Sequence, residues 1–515
     1  MAETGLRKWI ITVTVVLATV IELIDTSIVN VALPQMMGNL SATLDEVAWV
    51  VTSYVVANVI VVPMTGFLSG IFGRRNYFAG SIVLFTVASF FCGHATNIWE
   101  LVFFRFVQGM GGGALFSMSQ SILIETFPPQ ELGLANGLFG LGVVMGPTIG
   151  PTLGGWIVDN YSWPWIFYVN LPIGVLATLL TLSFIREGAR RKVESIDWAG
   201  IAFLVLGIGS LQVVLERGER DDWFSATHIV VLSAVAALGV VAFIWRELTA
   251  RHPVVELHVL RDRSLAVGTL FTFILGFGLY SSVFIFPVFA QNLLGFMAMH
   301  TGLILLPGSI ATAFMMPIVG KLLQKGFPAQ LMNATGFVFF FLFTLLLSHS
   351  TLASDRADFF WPLIFRGVGL GLLFVPLTTM ALSNLRGTDI AQGAGLTNMM
   401  RQLGGSFGVA LIATFIEKRS WFHRQSLLTH VTVYDAPVRE RFEAIVRGLV
   451  AKGSPLLEAQ RQAYGALEGI VVKQTFLLTY MDAFRVVGVF FLCCIPLLLL
   501  FRRRRGGAPV PAGMH

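Results

Sequence analysis

Five ionisable side chains stand inside long apolar stretches of this sequence. Glu22 and Asp25 share one stretch, three residues apart, while Arg105, Arg366 and Arg401 lie in three others. An ionisable group in hydrocarbon is costly and marks a functional site by default. The i, i+3 spacing puts Glu22 and Asp25 on one helical face. Burial disfavours the charge on a carboxylate and a nearby guanidinium favours it, so a conformational change that alters either influence loads or releases a proton. Asp25, Glu22 and Arg105 are therefore the candidates for proton coupling. Two carboxylates on one face also oppose each other's ionisation, which favours a cationic ligand or a second proton. The competing uses are a static ion pair that fixes helix packing for Asp25 and Arg105, and simple solvation in a vestibule for Glu22.

Arg401, beside Asn398 and Gln402, either balances the carboxylates across a cavity or recognises an anionic substrate. With Glu22 and Arg401, the residues Gln108, Gln120, Asn398, Phe277 and Tyr280 form the expected lining of a substrate cavity, since aromatic faces suit flat, apolar or cationic ligands. Hydrogen bonding between helices and ordinary packing are the alternatives for the uncharged members. Cys92, Cys493 and Cys494 all sit in apolar runs, and the histidines have no ligand spacing. No nucleotide loop or nucleophile–base pair is present, so neither a metal, a cofactor, an enzymatic reaction nor ATP bound by this chain is expected.

The elements that must position these groups are legible in composition. Of 515 residues, 55% are hydrophobic and only 12% are charged, against about 25% charged in a soluble globular domain. Such a chain cannot cover a water-soluble body, which excludes a soluble enzyme, a secreted disulfide scaffold and a disordered segment. Apolar runs of about 20 residues mark transmembrane helices. Fourteen are found, near 9–33, 46–69, 77–93, 99–123, 134–157, 164–185, 198–215, 228–246, 264–290, 301–322, 331–348, 359–384, 392–416 and 477–500. The first is too long, and lacks the small-residue site, for a removable signal peptide. At 1.5 Å per residue Asp25 stands ~24 Å from one face of a ~30 Å core, and Arg105 ~9 Å from the other, so they reach similar height.

Basic residues concentrate in alternate loops: Arg7 and Lys8; Arg74 and Arg75; Arg186, Arg190, Arg191 and Lys192; Arg246 to Arg263; Lys321 and Lys325; Arg386; and Arg502 to Arg505. The positive-inside rule makes these loops and both termini cytoplasmic, although the loop Glu125 to Gly133 is acidic. Net charge +6 thus sets membrane orientation and does not point to nucleic acid. Pro63-x-x-Gly66-x-Leu68 recurs 254 residues later as Pro317-x-x-Gly320-x-Leu322, and Phe104-Arg105 recurs 261 residues later as Phe365-Arg366. The predicted organisation is all-α: a six-helix half over 1–197, an inserted helix pair over 198–246 and a second six-helix half over 247–515. Within the last, 417–475 is an outward segment predicted to form a helical hairpin. Its apolar stripe of Val438, Phe442, Ile445, Val446, Leu449 and Val450 either packs on the protein itself or docks a partner. Gly453 ends one helix and Ser454-Pro455 begins the next.

Several motifs resemble the major facilitator superfamily, specifically its fourteen-helix drug:proton antiporters, and most closely the EmrB-type multidrug efflux pumps of Gram-negative bacteria. Leu23-Ile24-Asp25-Thr26-Ser27 through Pro34 is similar to their first-helix signature, and Leu101 to Gly109, containing Arg105, to their fourth-helix motif. Gly142, Gly146, Pro147, Gly150, Pro151, Gly154 and Gly155 match the fifth-helix antiporter motif. The glycines of that run permit close helix approach and its prolines bend the helix. The loop Gly66 to Arg75 keeps Gly66, Gly73, Arg74 and Arg75 but has Gly70 and Ile71 where many members have Asp and Arg, which puts a latch built on that Asp in doubt. The resemblance implies a major facilitator fold in a bacterial inner membrane and proton-driven export of hydrophobic or amphipathic small molecules. It also implies an EmrA-like periplasmic adaptor and an outer-membrane channel as partners. The rival readings are an exporter of an anionic or lipid-like metabolite, such as a fatty acid or siderophore, and a receptor or scaffold that no longer transports.

Overall fold

The computed structural model describes residues 5–128, 131–188, 190, 195–432 and 434–500, apart from the side chains of Val144, Met145, Pro147, Thr148, Ala298 and Thr388. Arg191, Lys192 and Arg502 to Arg505, used above to orient the chain, fall outside that set. All regular structure among the described residues is helical. The helices are α1 Gly5–Asn39, α2 Leu44–Phe72, α3 Arg74–His94, α4 Ile98–Thr126 and α5 Leu132–Asn160. They continue as α6 Trp165–Phe184, α7 Trp198–Arg217, α8 Thr227–Thr249 and α9 Arg263–Leu293, then α10 Ala298–Gln324, α11 Ala329–Leu347 and α12 Phe360–Leu382. The last are α13 Thr388–Leu428, α14 Ala436–Ala451 and α15 Leu456–Cys494.

Thirteen of the described helices are long and apolar enough to cross a membrane, and the 29-residue α5 stands among them, so fourteen helices form the membrane body. Their ends carry the expected local signals. Thr43 and Glu46 form a reciprocal capping box at the start of α2, and Asp262 caps α9 through the Leu265 N–H, each satisfying backbone donors that the helix leaves free. Gly73, at φ 85°, turns the chain directly from α2 into α3, a conformation that glycine adopts without steric cost.

The packing repeats across the sequence. α1 lies on α5, α2 on α4 and α3 on α4 and α6, while α9 lies on α13, α10 on α12 and α11 on α12 and α15. Between these groups α2 packs on α13 and α5 on α10, a reciprocal exchange of second and fifth helices. The repeated Pro-x-x-Gly motif sits at these two seams. Gly66 abuts Gln392 of α13, and Gly320 faces the Gly133 backbone of α5, leaving no room for a Cβ at either glycine. α7 and α8 pack on each other, and α7 leans on α2 and α13.

Residues 417–475 differ from the predicted hairpin. α13 runs on to Leu428 and α15 starts at Leu456, so the membrane helices themselves project as arms and only α14 is separate. The arms are joined by polar contacts that an apolar-run count does not see: Arg419 Nε to Asp482 at 2.7 Å, His423 to Asp482 at 2.8 Å and Arg424 to Glu468 at 2.6 Å. Part of the stripe on α14 packs on this chain: Val446 is buried with Ala459 and Ala463 of α15, Phe442, Ile445 and Leu449 lie partly buried against them, and Val450 stays exposed. Gly453 takes φ 97° between the two helices, where the sequence places the break.

Candidate functional site

Asp25 and Arg105 meet at 2.6 Å, 0% and 1% exposed in side-chain area. Three further helices, α2, α3 and α6, converge on the pair. Gln108 Nε2 donates to Asp25 Oδ1 at 2.9 Å and Asn170 Nδ2, from α6, donates to the same oxygen at 2.7 Å. Both amides also reach Ser89 Oγ of α3, at 2.7 and 3.3 Å. Arg105 spends a second Nη1 contact on Gln108 Oε1 at 2.6 Å and its Nε on the Val50 carbonyl of α2 at 3.1 Å, with its guanidinium 4.2 Å from the Tyr54 ring centre. Three donors, from Arg105, Gln108 and Asn170, hold this one carboxylate in place.

Glu22 does not join this network. Three residues along a helix advance 300°, so two such side chains stand 60° apart, and that angle is enough to send them to different neighbours. Asp25 enters the α3, α4 and α6 network, whereas Glu22 faces a cavity of about 270 Å³ between the halves, lined also by Tyr54, Tyr280 and Arg401. Glu22 Oε1 accepts from Asn58 Nδ2 at 3.2 Å, and Oε2 is buried without a hydrogen-bond partner. Asn58 in turn accepts from Gln402 Nε2 of α13, so a polar chain crosses from α1 to the second half. Arg401 donates to Tyr280 Oη at 3.0 Å and stacks 4.1 Å from the Phe116 ring centre.

The other expected lining residues lie elsewhere. Gln108 is committed to Asp25. Asn398 donates to Gln120 Oε1 at 3.1 Å and Ser117 Oγ at 3.3 Å, tying α13 to α4. Phe277 packs on Phe490 with ring centres 4.6 Å apart. One cavity carboxylate escaped the sequence reading: Glu216, at the end of α7. The available signal was Gln212 and Glu216 at i, i+4, two polar residues on one face of an apolar helix.

The cavity occupies the end of the bundle away from the chain termini, since it draws on the second half of α1 and the beginning of α2. Toward the terminal end the halves are in backbone contact, Gly395 against Val62 and Gly133 against Gly320. The fifth-helix glycines form the bearing between α5 and α1. Gly142 faces Val16 and Val20, Gly146 faces Leu23, Gly150 faces Ser27 and Gly154 faces Ile28, and Ser27 Oγ donates to the Gly146 carbonyl at 3.2 Å. Gly155 looks away into open space. α5 is helical without interruption through Pro147 and Pro151, the Pro147 side chain lying outside the described set. At the α2–α3 turn, Arg74 pairs with Glu125 and Arg75 stands 3.8 Å from Glu187. Those acids belong to the first half, so both basic residues brace that half internally.

A family model described as Major Facilitator Superfamily matches residues 15–409. Among curated proteins, the fatty acid resistance protein FarB of Neisseria gonorrhoeae is 34% identical over 489 residues, covering 95% of this chain and 94% of FarB. The multidrug export protein EmrB of Escherichia coli strain K12 is 32% identical over 512 residues, covering 99% of this chain and 98% of EmrB. The crystal structure of the human organic anion transporter MFSD10 (TETRAN) superposes with a TM-score of 0.61 at 12% identity, covering 95% of this chain and 99% of that one, a likeness of fold alone.

Proposed function

The chain belongs to the Major Facilitator Superfamily, and from that premise we propose that it exports hydrophobic or amphipathic small molecules from a bacterial cell in exchange for protons. The observation that carries this reading is the division of labour on α1. Asp25 sits in a closed, charge-paired network inside one half, while Glu22, one turn earlier, faces the cavity between halves. Proton and cargo thus have separate sites on a single helix, the arrangement an antiporter needs if each is to sense the other through movement of that helix.

With the termini on the cytoplasmic side, as the Lys and Arg distribution indicates, the present conformation faces outward: cavity toward the periplasm, halves closed toward the cytoplasm. Protonation of Asp25 from outside removes the charge that holds Arg105, frees α1 to slide on the glycine face of α5, and accompanies release of cargo. Return to the inward-facing state parts the Gly133–Gly320 and Gly395–Val62 seams and opens the cavity to the cytoplasm or inner leaflet. The moving bodies are the halves 1–197 and 247–515, with 198–246 as the inserted pair. The arms of α13 and α15, with α14, extend into the periplasm, where an EmrA-like adaptor and an outer-membrane channel would complete the route.

Arg401 supports a second reading for the cargo. Its guanidinium lines the cavity, and its Nε is buried without a partner, so a carboxylate or lipid-like anion has a donor to meet; FarB is named for fatty acid resistance. The test of the main reading uses everted vesicles carrying a proton gradient, acid inside. Dye accumulation is expected in the wild type and absent in Asp25→Asn, with both proteins present at equal level in the membrane. Wild-type accumulation by Asp25→Asn overturns proton coupling through Asp25. Comparing cationic dyes with anionic amphiphiles in Glu22→Gln and Arg401→Gln separates the two cargo classes.

A further inference from the structure

Glu216 belongs to α7, in the inserted pair, which is absent from the repeated halves. Its carboxylate nevertheless lines the central cavity together with Glu22 and Arg401. Two neutral donors converge on one of its oxygens: Gln212 Nε2 at 2.9 Å and Ser406 Oγ of α13 at 3.2 Å. Gln212 also donates to Ser406 Oγ at 2.6 Å, which locks the three side chains into a triangle and fixes the carboxylate plane. Among the described residues no cation lies within ion-pair distance of Glu216. Arg217 next to it turns away, to the Asp45 carbonyl at 3.0 Å and toward Asp221 at 3.6 Å.

The two cavity carboxylates differ in what surrounds them. Glu22 has the Arg401 guanidinium acting on it across the cavity, and that positive charge already offsets it. Glu216, in the last turn of α7, has a second oxygen with no protein partner among the described residues, and the cavity it lines is walled also by Leu23, Val55, Val283 and Val409. A carboxylate oriented by neutral hydrogen bonds, with Arg220 acting on it only from beyond ion-pair distance, and set among aliphatic walls, is a receptor for a cation that brings its own apolar body. The missing counter-charge then comes from the ligand.

We propose that Glu216 is a specificity-determining residue by which the inserted helix pair selects lipophilic monocations, the cationic centre pairing with its free oxygen while the apolar body lies against the aliphatic walls. This deepens the export reading and rests on it for the direction of transport, but not for binding. It gives the insertion a function beyond filling the gap between α2 and α13: it supplies a cargo contact that neither half encodes.

The test is equilibrium binding to the purified full-length protein of two ligands with nearly the same aryl body, tetraphenylphosphonium and the neutral triphenylphosphine oxide, followed by quenching of intrinsic fluorescence. The wild type is expected to prefer the phosphonium, and Glu216→Gln to lower that preference about tenfold, with Glu216→Asp restoring most of it. Size-exclusion profiles matching the wild type establish that the variants are folded. An unchanged preference in Glu216→Gln overturns the inference, as does loss of both ligands together in Glu216→Gln and Glu216→Asp, which identifies a strut between α7 and α13. A wild type that binds neither ligand also overturns it. Phosphonium binding by a wild type that does not export leaves the site inference standing and removes the export reading instead.

Discussion

Arg105 and Arg366 occupy equivalent places in the two halves, yet they meet different partners. Arg105 on α4 reaches back 80 residues to Asp25 on α1, and Arg366 on α12 reaches back 84 residues to Ser282 on α9 at 3.0 Å. Around Asp25 stand Gln108, Asn170 and Ser89; Arg366, 7% exposed, makes no ion pair among the described residues. The duplicated scaffold keeps the helix contacts and the arginine, while the acid is present on one side only. Helix packing and charge pairing are therefore separable in this fold. The first half carries a buried acid–arginine pair, and the second half keeps the arginine with a hydroxyl partner instead.

The same replacement made in both halves should have opposite consequences. Arg105→Met strands a buried Asp25 charge and is expected to cost about 3–5 kcal/mol and to abolish coupled transport, whereas Arg366→Met, which removes a buried unpaired cation, is expected to be neutral or stabilising. Thermal unfolding in detergent measures both, and equal losses would erase the distinction between the halves. A smaller effect is expected from Gln108→Leu. It removes one donor from the Asp25 carboxylate and the link to Ser89, a loss of about 1.5–3 kcal/mol for a bond to a charged group, and coupled transport should fall with it. The smallest effect on transport is expected from Ser282→Ala, which deletes one acceptor for Arg366, a bond to a charged group worth about 1.5–3 kcal/mol of stability. A loss of transport in Ser282→Ala as large as that in Gln108→Leu would mean that the second half carries coupling chemistry as well.

Much of this organisation was legible in the sequence, for reasons that differ by residue. Hydropathy fixes the count of spans because a membrane helix must satisfy its own backbone and expose an apolar surface, and rise per residue then places Asp25 and Arg105 at one height, where they indeed meet. Helix rotation is another matter. Whether Gln108, Gln120, Asn398 or Phe277 faces a cavity, a neighbouring helix or another ring depends on packing against several partners at once, and only Glu22, Tyr280 and Arg401 of the expected lining turn toward the space between the halves. Glu216 was hidden by its position. The apolar run of α7 stops at Leu215, and the following Glu216, Arg217, Glu219 and Arg220 resemble an ordinary charged loop. The arms of α13 and α15 were hidden for the opposite reason, since a helix that continues into water loses its apolar signal but not its hydrogen bonds.

One measurement reaches the central claim without a membrane gradient. Adding tetraphenylphosphonium to the detergent-solubilised protein in weak buffer, with a pH-indicator dye present, reads whether cargo binding and protonation of Asp25 exclude each other. Linkage requires that a ligand favouring the unprotonated state expel the proton. Proton release is expected from the wild type, and none from Asp25→Asn although that variant still binds the cation. Release from Asp25→Asn equal to that of the wild type would contradict it.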